Sequence, residues 1–198
     1  NSDATRECAE KLAANLGIRY EVLPIQDMVN QRAEMLARLN LPLSEEMLEN
    51  VQSRERGSGF LAAAAAAFGG AVICNGNKSE FTIGYATMYG DAIGYFAPLG
   101  DLWKCQIYEI ARYIYETSGL LPLAALELQP SAELSDAQDI EKGMGDPLCY
   151  AYHDYLFRSW VEWGQDITDS LTFYEQGKLA EVTGCGTEQL RQLFPDTE

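Results

Sequence analysis

The chain has 198 residues, with 14 basic against 30 acidic side chains and a formal charge of −16 near neutral pH. That deficit excludes most nucleic-acid readings, because gripping a phosphate backbone depends on a surplus of Lys and Arg that releases counterions, and it disfavours an anionic membrane surface. An apolar fraction of 47% is an ordinary globular value, and the length suits one domain with a sizeable core.

Asp3 is placed to cap a first helix whose apolar positions Ala9, Leu12, Ala13 and Leu16 follow the i, i+3, i+4, i+7 pattern, with Gly17 as its left-handed stop. Residues 20–25 read as a short strand. A second helix is predicted over about Asp27 to Leu39, and a long one from Ser44 through the alanine run to Gly69, interrupted near Gly57 and Gly59. Ala71 to Cys74 is a short buried-strand run, and Asn75-Gly76-Asn77 after it is loop chemistry at a strand's carboxyl end. In open α/β sheets that edge is where ligands bind. An amphipathic helix follows over about Lys104 to Thr117, with Ile107, Ile110, Ala111 and Ile114 on one stripe and Gly119 after it. Strands alternating with helices predict a parallel, doubly wound sheet. Beyond Pro122 the chain turns acidic and aromatic, with helical segments over Tyr152 to Trp163 and Thr187 to Leu193, and Ser135 with Gln138 matches a capping box.

Charge is uneven along the chain. Residues 1–115 carry 14 acidic and 10 basic groups and residues 116–198 carry 16 and 4. An anionic ligand is therefore expected in the first part, where Arg54, Arg56, Lys78 and Lys104 lie. Five cysteines without any Cys-x-x-Cys spacing fit neither a disulfide framework nor a zinc site, and point to a reducing cytoplasm. The apolar stretch from Phe60 to Cys74 is too short to cross a bilayer. Asn77-Lys78-Ser79 matches a glycosylation acceptor, a poor fit to a chain without secretory features. His153 is the single histidine, so a His-dependent triad has one candidate base and imidazole-rich metal sites are excluded.

Neither a dinucleotide-binding glycine fingerprint nor a Walker loop occurs. The dense candidate is Asn75 to Glu80, followed by Gly84-Tyr85, Tyr89-Gly90-Asp91 and Lys104. Small loop residues let a ligand approach the backbone, Glu80 and Asp91 offer hard oxygens suited to Mg²⁺, and Lys104 offers a point charge for phosphate. Each residue alone also fits a bland role. Asn50 and Arg54 fall i, i+4 on a helix and suit a solvated face, Tyr85 and Tyr89 suit core aromatics, and Ser131 suits a cap.

Taken together, Glu49 to Arg54, Gly76 to Glu80, Gly84-Tyr85-Ala86-Thr87, Tyr89-Gly90-Asp91, Lys104 and Pro130-Ser131-Ala132-Glu133-Leu134 resemble the synthetase part of NAD synthetases, in order and at the family's intervals, over about Ser2 to Asp139. The tail with Tyr152-His153-Asp154-Tyr155 resembles the glutamine-dependent branch. The resemblance implies a doubly wound α/β sheet of the ATP pyrophosphatase type over residues 1–125, lacking its first strand and its Ser-Gly-Gly-x-Asp-Ser pyrophosphate loop, with an acidic helical extension of the same domain over residues 126–198. It implies ATP and Mg²⁺ as cofactors, nicotinic acid adenine dinucleotide as substrate, ammonia from a glutaminase domain upstream, and a homo-oligomer in the cytoplasm. By the same resemblance Lys104 and Asp91 are catalytic, Asn75, Glu80, Lys104 and Ser131 bind ATP, Glu80 and Ser131 hold the metal, and Asn50, Arg54, Tyr85 and Asp91 bind the dinucleotide. Asn75 stands where the family usually has Thr, and Tyr95 where the ammonia-dependent enzymes carry Asp. A non-catalytic dinucleotide-binding or assembly module keeping this fold is the other reading.

Overall fold

The computed structural model describes residues 2–41, 43–135, 138, 140–142 and 144–194. Helix α1 (Asp3–Leu16) opens on the Ser2 hydroxyl, which accepts the Thr5 N–H, and closes on Gly17 at φ +64°. The cap is thus Ser2, not Asp3, whose carboxylate lies in the first turn and complements the helix dipole. Residues 18–25 run without strand pairing and leave Ile18, Val22 and Leu23 exposed. The expected strand there has no neighbour to complete its ladder among the described residues.

Helix α2 (Gln26–Ala37) leads to α3 (Glu45–Arg54), capped by Ser44 as its sequence predicts. The interruption foreseen at Gly57 and Gly59 is a π-helical turn, Glu55–Leu61, before α4 (Ala62–Phe68) resumes and stops on Gly69 at φ +74°. A π-turn widens the helix by one residue per turn, and here it admits a neighbouring backbone. A Cβ on Gly57 would lie 2.0 Å from the Gly90 carbonyl oxygen, and the Tyr89 carbonyl accepts the Ser58 N–H at 3.1 Å.

The expected parallel sheet is reduced, among the described residues, to isolated bridges. Ile73 pairs in parallel with Phe96, with Cys74 N–H donating to Phe96 and Tyr95 N–H to Val72, both at 2.9 Å, and Met88 bridges Ala92. Cys74 is buried, yet Ile73 is 48% exposed, so the run is not the fully buried strand its composition predicts. Alternating strands and helices call for several paired neighbours, and among the described residues the pairing is limited to residues 72–74 with 95–96 and the Met88–Ala92 bridge.

The rest is helical: α5 (Lys78–Ile83), α6 (Lys104–Ser118), α7 (Ala124–Glu127), a short 3₁₀ turn (Ile140–Lys142), α8 (Tyr150–Val161), α9 (Ile167–Glu175), α10 (Leu179–Thr183) and α11 (Thr187–Leu193). Helix α6 ends on left-handed Gly119 as its sequence predicts, but its stripe is only partly covered, with Ile110 and Ile114 exposed. The core centres on Trp103, fully buried, whose indole N–H donates to Glu162 at 2.7 Å. Glu162 also accepts Lys78 Nζ at 2.8 Å and Arg158 Nε at 3.2 Å. This fastening packs α8 of the acidic extension against α5 and α6. Ser135 and Gln138 do not form a capping box: the Ser135 hydroxyl is buried without a partner among the described residues, and the Gln138 side chain instead accepts the Leu134 N–H at 3.0 Å.

Candidate active site

A cavity of about 830 Å³ opens between α3, the loop after residue 74, the first turns of α5 and α6, and the segment 128–134. Its centre is Glu80 and Lys104. Helix α5 begins with a capping box that residue-type patterning at Asn77 and Glu80 encodes: Asn77 Oδ1 accepts the Glu80 N–H at 3.0 Å, and Glu80 Oε2 accepts the Asn77 N–H at 3.1 Å. The other carboxylate oxygen, Oε1, lies 3.2 Å from Lys104 Nζ, with both side chains about four-fifths buried (18% and 20% exposed). Lys104 Nζ also sits 5.0 Å from the centre of the Tyr150 ring, a cation–π contact. Asn77 is 2% exposed and its side-chain oxygen is engaged, which closes the glycosylation reading.

Asp91 is held by the close approach of two backbones. Ser53 Oγ donates to Asp91 Oδ1 at 2.7 Å and accepts the Asp91 N–H at 3.0 Å, while the Thr87 N–H donates to the same carboxylate oxygen at 2.9 Å. Gly90 is required there, since a Cβ would lie 2.2 Å from Ser53 Oγ. Asn50 accepts the Thr87 hydroxyl at 2.9 Å and donates to the Glu46 carbonyl, so it lies on the same wall. Asn75 is exposed on the rim. Tyr85 accepts the Gln138 amide at 2.9 Å, and burial, then the neighbouring Asp146 carboxylate, push its phenol far above the usual range. Tyr150, which donates to Asp146 Oδ2 at 2.7 Å, is raised likewise by burial and by that bond. Both phenols stay protonated and serve as donors. Tyr89 is exposed rather than a core aromatic.

Ser131 lies on the wall with its hydroxyl already engaged: it donates to the Gln138 carbonyl at 2.5 Å and accepts the Glu133 N–H at 3.1 Å. The loop is pinned by the Ser2 N–H on Glu133 and by the Gln52 amide on the Leu134 carbonyl, at 3.0 and 2.9 Å. Arg54 does not reach the wall. It is exposed and donates to the Met88 carbonyl at 3.2 Å. Arg56, within that turn, lines the cavity instead. Lys78 is likewise drawn off to Glu162 and Asp101, so the expected cluster of four cations reduces to two. His153 lies off the wall, with Nδ1 2.9 Å from the Cys149 carbonyl.

The lining therefore carries six carboxylates (Glu46, Glu49, Glu80, Asp91, Glu133 and Asp146) against Arg56 and Lys104. A polyphosphate entering such a site needs cations of its own. Asp146 Oδ1 is buried without a hydrogen-bond partner among the described residues, an oxygen suited to a hard cation. No group of three or more His, Cys, Asp or Glu among the described residues can hold a metal by itself. Asp146 was not singled out from the sequence; it sits between Gly145 and Pro147 with no local signature.

A cavity of ligand size walled by a lysine–carboxylate pair, hydrogen-bonding loops and buried phenols defines a small-molecule site on a predominantly helical frame. The sequence model of NAD synthase matches residues 1–183, and the chain belongs to the NAD synthase family. It is similar to a glutamine-dependent NAD(+) synthetase of Xylella fastidiosa, 39% identical over 141 residues that make up 68% of this chain and 26% of the relative. It is also similar to one of Thermotoga maritima, 35% identical over 163 residues, 81% of this chain and 28% of the relative. The chain thus spans about a quarter of the length of these relatives. Among solved structures it resembles the glutamine-dependent NAD+ synthetase of Acinetobacter baumannii in complex with ADP, at a TM-score of 0.61 and 26% identity, over 91% of this chain and 32% of that one. No helix among the described residues is long and apolar enough to cross a membrane.

Proposed function

We propose that this chain is part of a glutamine-dependent NAD synthetase that amidates nicotinic acid adenine dinucleotide with ATP and ammonia. The observation that carries the reading is the meeting of Glu80 and Lys104, 24 residues apart in sequence, 3.2 Å apart on the wall of one cavity that Asn50, Tyr85, Asp91 and Ser131 also line. A carboxylate is a poor electrophile because its leaving group would be oxide. Its attack on the α-phosphorus of ATP expels pyrophosphate and leaves an acyl adenylate; ammonia then adds at the acyl carbon and AMP departs. Such a reaction asks the protein for positioning and charge neutralisation more than for covalent catalysis.

In this reading Lys104 neutralises charge growing on the α-phosphate, exchanging its Glu80 partner for the phosphate oxygens. Glu80, with Ser131 on its pinned loop and Asp146 on the same wall, would hold Mg²⁺. Bound there, Mg²⁺ supplies the positive charge that the acid-rich lining lacks. Asn50 and Tyr85 hold the dinucleotide by neutral hydrogen bonds, Arg56 takes the basic position first assigned to Arg54, Asn75 lies at the ATP rim, and Asp91 stands beside the reacting carboxyl group and the incoming ammonia. Residues 1–125 form the α/β part, and residues 126–198 the acidic extension that fastens it through Glu162. The same proposal assigns the grip on the β- and γ-phosphates to a Ser-Gly-Gly-x-Asp-Ser loop, which does not occur in these 198 residues. Glutaminase-derived ammonia, a doubly wound sheet completed by further strands, a homo-oligomer and a cytoplasmic setting belong to the same proposal.

The test is NAD formation by the full-length protein containing this chain, supplied with nicotinic acid adenine dinucleotide, ATP, Mg²⁺ and ammonium. The reading requires NAD, AMP and pyrophosphate in equal amounts. Dinucleotide binding without any product would overturn it in favour of a non-catalytic module.

A further inference from the structure

Asp154 is 2% exposed, in the middle of α8, and its carboxylate is fully engaged by two helices other than its own. Oδ1 accepts the Ser79 hydroxyl at 2.6 Å and Oδ2 accepts the Cys105 N–H at 2.8 Å. Ser79, fully buried, accepts the Lys104 N–H on its own oxygen at 2.9 Å. One carboxylate thereby fastens the first turn of α5 to the first turn of α6. A negative charge is favoured there, against the positive end of the α6 dipole and its unpaired N–H groups. The residues fastened are the immediate neighbours of the reacting pair: Ser79 precedes Glu80, and Cys105 follows Lys104. One turn earlier in α8, on the same helix face, the Tyr150 ring underlies Lys104 Nζ.

We propose that Asp154 is a positioning residue that sets the separation and aim of Glu80 and Lys104 for adenylation, so that the acidic extension acts on the chemistry through α8 without touching substrate. Trp103 and Glu162 already secure α8 to the core, and they do so at the other end of α8 from Tyr150. The bonds of Asp154 therefore add registration of two helix starts to attachment that exists without them. Misplacement by about 1 Å costs on the order of 100-fold in rate, which is the scale expected when this link is cut.

The inference rests on the proposed amidation, and the experiment separates the two. In the full-length protein, kcat and KM for ATP and for the dinucleotide are measured with ammonium as nitrogen source for wild type, Asp154→Ala, Asp154→Asn and Ser79→Ala, each corrected for folded fraction. Wild-type protein that makes no NAD defeats the functional reading. Amide hydrogen exchange of Lys104 and Cys105 then decides the fastening by itself, with at least tenfold faster exchange expected in Asp154→Ala and unchanged exchange refuting it. With active wild type, Asp154→Ala is expected to lose about 100-fold in kcat with KM values within threefold. Asp154→Asn keeps an oxygen for the Cys105 N–H and an amide that donates to Ser79, and is expected to recover most of that loss. Should Asp154→Ala fail to fold, Ser79→Ala, which removes the link to α5 and the acceptor of the Lys104 N–H but keeps the Asp154 bond to the Cys105 N–H, is expected to lower kcat about tenfold. Folded Asp154→Ala or Ser79→Ala with wild-type kcat would overturn the proposal, as would equal kcat losses in Asp154→Asn and Asp154→Ala.

Discussion

Replacing Lys104 by alanine removes one ammonium and leaves Glu80, four-fifths buried, without its ion partner. The attraction across 3.2 Å is about 5 kcal/mol at an effective dielectric of about 20. Desolvation of both groups offsets most of it, so the pair is expected to contribute a net of about 1–2 kcal/mol. In a domain of this length that lowers Tm by roughly 2–8 °C. The kinetic effect should be larger. If Lys104 meets charge that develops on the α-phosphate, its loss should cut kcat by about 100- to 1,000-fold, with KM for the dinucleotide little changed. Lys104→Arg should rescue only in part, since a planar guanidinium cannot occupy the ammonium's place over Tyr150 and beside Glu80. A double-mutant cycle with Glu80→Gln, read by thermal denaturation, isolates the ion pair's contribution to stability. Steady-state NAD formation with ammonium, run beside thermal denaturation, reads both. Lys104→Ala with kcat within threefold of wild type would remove this residue from the chemistry, and a Tm drop alone would leave it a structural ion-pair partner.

Glu162 is held down to about 2 by the Lys78 ammonium first, then by the Trp103 indole and the Arg158 guanidinium. Its folded value lies below its ordinary 4.5, so the unfolded chain binds the proton more tightly and the stabilisation is complete above pH 4.5 and lost as pH falls towards 2. The Tm gap between wild type and Glu162→Gln should accordingly be widest near neutrality and shrink across that window; a gap independent of pH would refute the assignment. Gly90→Ala drives a Cβ to 2.2 Å from Ser53 Oγ and 2.9 Å from the Ser53 carbonyl carbon, and is expected to destabilise by about 1–3 kcal/mol and to loosen Asp91, read as a lower urea midpoint together with a lower kcat. Burial pushes the Cys105 thiol up to about 12, with Asp154 adding to it, and burial with the Cys149 contact does the same for Cys185. Both should resist iodoacetamide at pH 8 in the folded protein and react on unfolding, as mass spectrometry of the alkylated chain would show; rapid native labelling would contradict the packing around α8.

Local chemistry was legible without coordinates. The Ser44 cap, the left-handed stops at Gly17, Gly69 and Gly119, and the break at Gly57 and Gly59 follow from residue-level preferences that need no tertiary context. The ordered motifs from Asn50 to Ser131 likewise named residues that share one cavity, Glu80 and Lys104 foremost. What the sequence could not settle depends on partners far along the chain. An apolar run such as Ala71 to Cys74 becomes a strand only as far as a neighbour offers hydrogen bonds, and here those come from Tyr95 to Val72 and from Cys74 to Phe96. Arg54 and Arg56 are equal in composition, yet Arg56 lines the cavity while Arg54 is exposed on the Met88 carbonyl. Glu162 and Asp154 read as two members of an acidic tail. Only the folding of α8 onto α5 and α6 makes one of them the anchor of a buried tryptophan and the other the link between two helix starts, because a carboxylate's role is set by the donors that surround it rather than by its own position in the chain.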